Sequence, residues 1–319
     1  MRWLSSLLSA VTFSILTLAA VYPPPQAVTG NTAVHDPTIC QDQHGTYFVF
    51  CTAPGIEIRT SKDRKNWALI GTVWPNGAPW TDQFTLTSNG SIWAPDCTYR
   101  NGEFLLYYAA SSFGSQNSGI FLAKSKTGLP GSFTHEGLVT QSSPLLDYNA
   151  IDPNLIITGN SWRLSLGSFW TGIKSFDVDP HTGLFMQGNA TSPTSLAERF
   201  VNSQSIEASV VFQHGNYFYL FSSWDFCCRG VNSTYNIRVG RSLTPSGGFV
   251  DQEGVGLING GGTLVLETHD NIVGPGGQDL LVDKNGETLM VYHYYTPSGS
   301  FLGINKLDFS TGWPVVVPT

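Results

Sequence analysis

Five stretches of the chain follow one template: a short apolar run, a polar turn usually containing Gly, and an aromatic-rich run. They are HDPTICQDQHGTYFVFCTA from His35, WAPDCTYRNGEFLLYYAAS from Trp93, IDPNLIITGNSWRLSLGSF from Ile151, IEASVVFQHGNYFYLFSSW from Ile206 and GGQDLLVDKNGETLMVYHY from Gly276. Apolar and aromatic runs separated by a tight polar turn read as β-hairpins. The turns centre near Gly45, Gly102, Asn160, Gly215 and Gly286, so successive spacings are about 55–58 residues and then 71. Each hairpin is followed by a further strand, a polar turn and an aromatic or apolar pair, as in IRTSKDRKNW, LAKSKTGLPGSF, IKSFDVDPHTGLF, IRVGRSLTPSGGF and GINKLDFSTGWP. Five units of about four strands predict an all-β five-bladed β-propeller. A sandwich would not repeat so regularly, and β-helix repeats are much shorter.

The repeat places acidic residues unevenly. In a propeller the first strand of each blade lines the central channel, so residues heading those strands converge on one mouth. Alignment of the hairpins puts Asp36, Ala94, Asp152, Glu207 and a position near Gly277 at this offset. Asp-Pro can simply begin a strand, where proline is tolerated. That does not explain agreement across three blades. Three converging carboxyls suit glycoside hydrolysis, which uses one protonated and one ionised carboxyl about the scissile bond. A third carboxylate nearby raises the acid's pKa and orients it.

The context agrees. Residues 1–20 start Met-Arg, run apolar through Leu18 and close on Ala19-Ala20, the pattern of a secretory signal peptide rather than a membrane span. A mature chain of one catalytic domain, residues 21–319, is expected outside the cell. Asn89-Gly-Ser91, Asn189-Ala-Thr191 and Asn232-Ser-Thr234 are N-glycosylation sequons. A net charge of −7 argues against nucleic acid or an anionic membrane as partner and fits a neutral polysaccharide. Nine Trp and 13% aromatics serve both core packing and sugar stacking. A monomer is expected.

VHDPTI, AIDPN and SIEAS resemble the three acidic motifs of glycoside hydrolase family 43, and the likeness spans the mature chain. SIWAPD (91–96), CCRGVNSTYNIRVGRS (227–242) and GPGGQD (274–279) look like the endo-1,5-α-L-arabinanases within it. The resemblance implies an inverting hydrolase of α-1,5-arabinan in pectin side chains. Asp36 would be its general base, Glu207 its general acid, and Asp152 the residue that tunes and orients the acid. It also implies that His293 faces a channel ion taken as calcium and mostly ligated by water; a hydrogen-bonded core histidine is the other reading, since calcium prefers oxygen ligands. Trp93 resembles a sugar-stacking subsite residue, His35 lines the floor, and Phe113 and Phe169 either wall the cleft or pack between blades. The adjacent Cys227 and Cys228 match the arabinanase pattern, as a disulfide or as thiols, with no chemical role assigned; Cys40, Cys51 and Cys97 cannot be paired from sequence.

Two competing readings carry different chemistry. An exo-acting arabinofuranosidase or β-xylosidase of this fold closes one end of its pocket, often with an added β-sandwich. The sequence ends just after blade five, so an open cleft is expected. A non-catalytic sugar-binding propeller would repeat equivalent sites in every blade, whereas here only three blades carry acids.

Overall fold

The computed structural model describes residues 22–185 and 193–319. The expected signal peptide, 1–20, and the sequon at Asn189 lie outside the described residues. Five sheets follow one another in sequence order, antiparallel except where the short strand Thr29–Gly30 adds in parallel to Asn66–Thr72. Blade one holds Thr38–Gln41, Tyr47–Cys51, Glu57–Ser61 and Asn66–Thr72. Blade two holds Ser91–Arg100, Glu103–Ala110, Ser118–Ser125 and Thr134–Ser142. Blade three is built from Asn154–Thr158, Ser161–Leu166, Ile173–Val178 and Thr194–Ala197, and blade four from Ile206–His214, Tyr217–Trp224, Asn236–Ser242 and Thr263–Leu266. Val273–Val282, Thr288–Thr296, Gly299–Asp308 and Val315–Val317 complete blade five. The five-bladed propeller expected from the repeat is the observed fold. The wider last spacing reflects blade four, whose long connections run from Asp225 to Tyr235 and from Leu243 to Gly262.

Each blade is half of two cores. Five hydrophobic clusters lie between successive blades, so alternate faces of every sheet are buried against different neighbours. The ring closes where the N-terminal segment enters. Val34 N–H donates to Ser300 O (3.2 Å), Leu302 N–H to Thr32 O (2.9 Å) and Gln26 N–H to Ile304 O (2.8 Å). Arg64 of blade one reaches Asp283 (3.2 Å) and Glu287 (2.6 Å) of blade five. The innermost strands of blades one and two are also joined covalently by Cys40–Cys97.

Around the axis the innermost strands are stitched by a relay. In every blade one residue near the head of this strand is left-handed: Asp36 (φ 45°), Ala94 (φ 41°), Asp152 (φ 56°), Ala208 (φ 51°) and Gly277 (φ 57°). Two residues on, a side chain accepts the backbone N–H of the next blade. Asp279 accepts from Ile39 (2.8 Å), Thr38 from Cys97 (2.9 Å), Asp96 from Leu155 (2.9 Å) and Asn154 from Val211 (2.8 Å). The fifth link is missing because Val210 offers no acceptor; Leu280 N–H turns instead to its neighbour Asp279 (2.7 Å). Buried backbone donors must find partners, so this relay fixes the angular position of each blade.

Replacing both Cys40 and Cys97 by Ala should lower the unfolding free energy by about 4 kcal/mol, the loop-closure value for a 57-residue separation. Denaturant melts would show it. An unchanged midpoint would mean that the relay alone holds these blades.

Candidate active site

The relay delivers the acids to one place. Asp36 and Asp152 both line a cavity of about 30 Å³ at the channel mouth, room for one or two waters, together with Ala94, Ala208 and Gly277. Glu207 stands beside them, 8% exposed, with its oxygens against Ser168 and Tyr235. One expectation is corrected here. The left-handed position of blade four belongs to Ala208, so Glu207 sits one residue earlier, where Trp93 and Gly276 sit in blades two and five. A register shift between Glu207 and Val210 allows this, as shifts at Trp93/Asp96 and Gly276/Asp279 do in the other two blades. A bulge re-aims a side chain without moving the strand.

Asp36 is held on three sides. Thr52 Oγ1 donates to its Oδ2 (2.8 Å) and accepts from Ala94 N–H (2.9 Å). Its own N–H donates to His293 Nδ1 (3.0 Å), and His35 Nε2 lies 3.6 Å from Oδ2. Gly277 gives it room: a Cβ there would come within 2.7 Å of Asp36 Oδ1 and 2.8 Å of His293 Nδ1. Gly276 does the same for Tyr235, the partner of Glu207, since a Cβ would fall 2.1 Å from its ring.

Glu207 accepts from Tyr235 Oη and is 2.5 Å from Ser168 Oγ. Burial raises its pKa; Asp36's charge adds to this, while the two hydroxyls oppose it. Tyr235 is itself buried with its pKa pushed far up, so it stays a donor. Ser168 can turn, and so can accept a proton carried on Glu207 Oε2. Asp152 is raised well above the ordinary carboxyl value, by burial first and then by the charges of Glu207 and Asp36. Its Oδ2 accepts the N–H of Ala208 (2.9 Å), the residue after Glu207, so Asp152 fixes the backbone from which Glu207 projects. Burial, rather than Asp152, leads the shift of Glu207.

The other expected residues fall around the mouth. Trp93 and Phe113 form a tilted pair (5.1 Å), with Phe113 83% exposed, so it does not pack between blades. Phe169 meets Phe226 at 6.2 Å across blades three and four. His35 stacks on His293 at 4.1 Å. Asn89 and Asn232 are exposed. Sequence reasoning missed Thr52, Ser168, Tyr235, Tyr295 and Phe226; of the signals, only the Gly276-Gly277 pair pointed to crowding beside the channel.

His293 makes protein contacts at both ring nitrogens. It is fully buried, accepts from Asp36 N–H at Nδ1, and therefore carries its proton at Nε2, which faces Tyr295 Oη at 3.1 Å. Burial, and then His35, hold its pKa well below the ordinary value, so the ring is neutral. His35, Asp36 and His293 bring ligand atoms within 4.8 Å of one another, yet supply one carboxylate and two imidazoles. Calcium takes six to eight oxygens. Deeper in the channel, Asp96 and Asp279 are spent on the relay. The residues present do not fit a calcium ion held by protein ligands alone, and both ring nitrogens of His293 are engaged by protein groups.

Asp152→Asn keeps the acceptor for Ala208 N–H and removes a buried group whose folded pKa is raised. Such a group loses stability as pH rises from its unfolded value, near 4, through its folded one. The variant should therefore melt higher than the wild type, by a margin that widens from pH 4 to pH 8. A margin independent of pH would show that Asp152 is not shifted upward.

The sequence profile of Glycosyl hydrolases family 43 matches residues 26–314. Arabinan endo-1,5-alpha-L-arabinosidase A of Aspergillus niger is 38% identical over 97% of this chain and 99% of its own length. Among solved structures, the GH43 endo-arabinanase of Bacillus licheniformis superposes with a TM-score of 0.83 at 37% identity, covering 91% of this chain and 99% of its own. An exo-1,5-alpha-L-arabinanase from a bovine ruminal metagenomic library also gives 0.83, at 34% identity, with 89% and 97% covered. With the family's three acidic motifs gathered at one propeller mouth, this chain belongs to glycosyl hydrolase family 43 and is a glycoside hydrolase.

Proposed function

We propose that the protein is an endo-acting hydrolase of α-1,5-linked L-arabinan that works by inversion, with Glu207 as general acid and Asp36 as general base. The observation that carries the assignment is the contrast between the two carboxyls. Glu207 is buried with a raised pKa and an adjacent serine that can accept its proton. Asp36 lines the mouth cavity, beside space that a water can fill. The acid protonates the leaving oxygen, while the base takes a proton from the attacking water. Asp152 holds the strand behind Glu207, and its own charge state is linked to that of Glu207.

Cleavage within a chain needs sugar contacts on both sides of the scissile bond. The Trp93–Phe113 pair of blade two and the Phe169–Phe226 pair of blades three and four offer two separate aromatic surfaces at the mouth. Names of relatives support both modes of attack, since one similar structure is endo-acting and another exo-acting. The two surfaces favour the endo mode. All these groups come from one chain, so a monomer suffices. Export through the 1–20 leader is supported by the Cys40–Cys97 and Cys227–Cys228 disulfides, which persist in oxidising compartments.

Digestion of linear arabinan, sampled early, should release oligosaccharides before arabinose. Arabinose as the sole early product would make the enzyme exo-acting. The acid assignment gives a second test. Tyr235→Phe removes a donor that favours ionised Glu207, so the acid's pKa should rise further. A general acid works only while protonated, so the alkaline limb of the kcat/KM profile should move to higher pH. A limb that stays in place, or moves down, would remove Glu207 from the role.

A further inference from the structure

The loop Asp225–Tyr235 carries a feature that the hydrolytic scheme does not use. Cys227 and Cys228 are bonded to each other, and Cys228 is exposed with a left-handed backbone (φ 67°). A side chain other than glycine holds that conformation at a cost, so something must gain from it. Two contacts run from Cys228 towards Asp36. Its N–H donates to Tyr295 Oη (2.9 Å), which faces His293 Nε2 (3.1 Å), whose Nδ1 accepts the Asp36 N–H (3.0 Å). Its Sγ lies 3.6 Å from His35 Nε2, which is in turn 3.6 Å from Asp36 Oδ2. The backbone and the carboxylate of one aspartate are thus each reached from one cysteine.

We propose that the Cys227–Cys228 disulfide is a positioning device for Asp36, acting through Tyr295 and His293. The bond between neighbouring residues fixes the local backbone, so the Cys228 N–H stays aimed at Tyr295. Tyr295 Oη then receives two N–H groups, from Cys228 and from His293. The second of these holds the imidazole with Nδ1 towards the Asp36 N–H. Without the bond, Cys228 can leave the left-handed region, Tyr295 loses one donor, and the ring that seats the base loosens. Cys40–Cys97 cannot do this: it is buried between blades one and two, away from the His293 side of Asp36.

The proposal rests on Asp36 as base, and the test separates the two. Wild-type enzyme on linear arabinan checks the proposed function. A double-mutant cycle then compares Cys227→Ser with Cys228→Ser made together, Tyr295→Phe, and all three substitutions, with melting temperature measured throughout. Each arm should lower kcat about tenfold with KM nearly unchanged, the scale expected when a catalytic group is slightly misplaced. The triple variant should be no worse than either arm, because all three act along one path. Multiplying losses, an unchanged kcat, or a rise in KM alone would overturn the proposal. If the serine pair does not fold, Tyr295→Phe decides by itself: full kcat refutes the path.

Discussion

A left-handed residue near the head of each innermost strand, followed two positions later by a side chain that accepts the next blade's N–H, is the constraint on which the rest depends. Turning the backbone at Asp36, Ala94, Asp152 and Ala208 costs about 1 kcal/mol or more at each, since none is glycine. The relay through Asp279, Thr38, Asp96 and Asn154 offsets that strain by satisfying donors buried around the axis. The outcome is a channel mouth whose wall residues are set by backbone geometry rather than by flexible loops. Where the relay is interrupted, at Val210, blade four still keeps its place through Gln278 Nε2, which donates to Ala208 O (2.6 Å).

Chemistry follows from how few groups fit inside that wall. Two positions are small, Ala94 and Ala208, and a third is Gly277, whose missing Cβ leaves space for Asp36 and His293. The remaining volume is shared by carboxyls in unlike settings. Asp36 faces the cavity with one hydroxyl donor, while Glu207 is sunk between two hydroxyls and Asp152 is tied to a backbone N–H. Burial that raises the pKa of Glu207 keeps it protonated to higher pH, the state a general acid requires.

Much of this was legible in the sequence, for a physical reason. Hairpins are local, so the turns at Gly45, Gly102, Asn160, Gly215 and Gly286 announce themselves, and all five connect paired strands. Asp36 and Asp152 were legible because Pro37 and Pro153 mark the strand head. Glu207 is legible, but at the wrong offset: the two-residue turn of blade four has its glycine first (Gly215-Asn216) where blade two has it second (Asn101-Gly102), so alignment on glycine displaces the strand by one residue. Tyr235, Ser168 and Thr52 were hidden because they come from second strands or loops and meet the acids only through tertiary packing. The pairing of Cys40 with Cys97 belongs to the same class, as it depends on which blades are neighbours. The contacts that take both sides of the His293 ring, Asp36 N–H and Tyr295 Oη, belong to the same class.

The central claim is that Asp36 activates water on the far side of the sugar from Glu207. The most direct measurement is proton NMR of the anomeric signal in the first product released from α-1,5-arabinan, read before mutarotation. The account predicts the β anomer, formed by a single displacement. An α anomer would contradict it, because retention requires a carboxylate to attack the carbon itself.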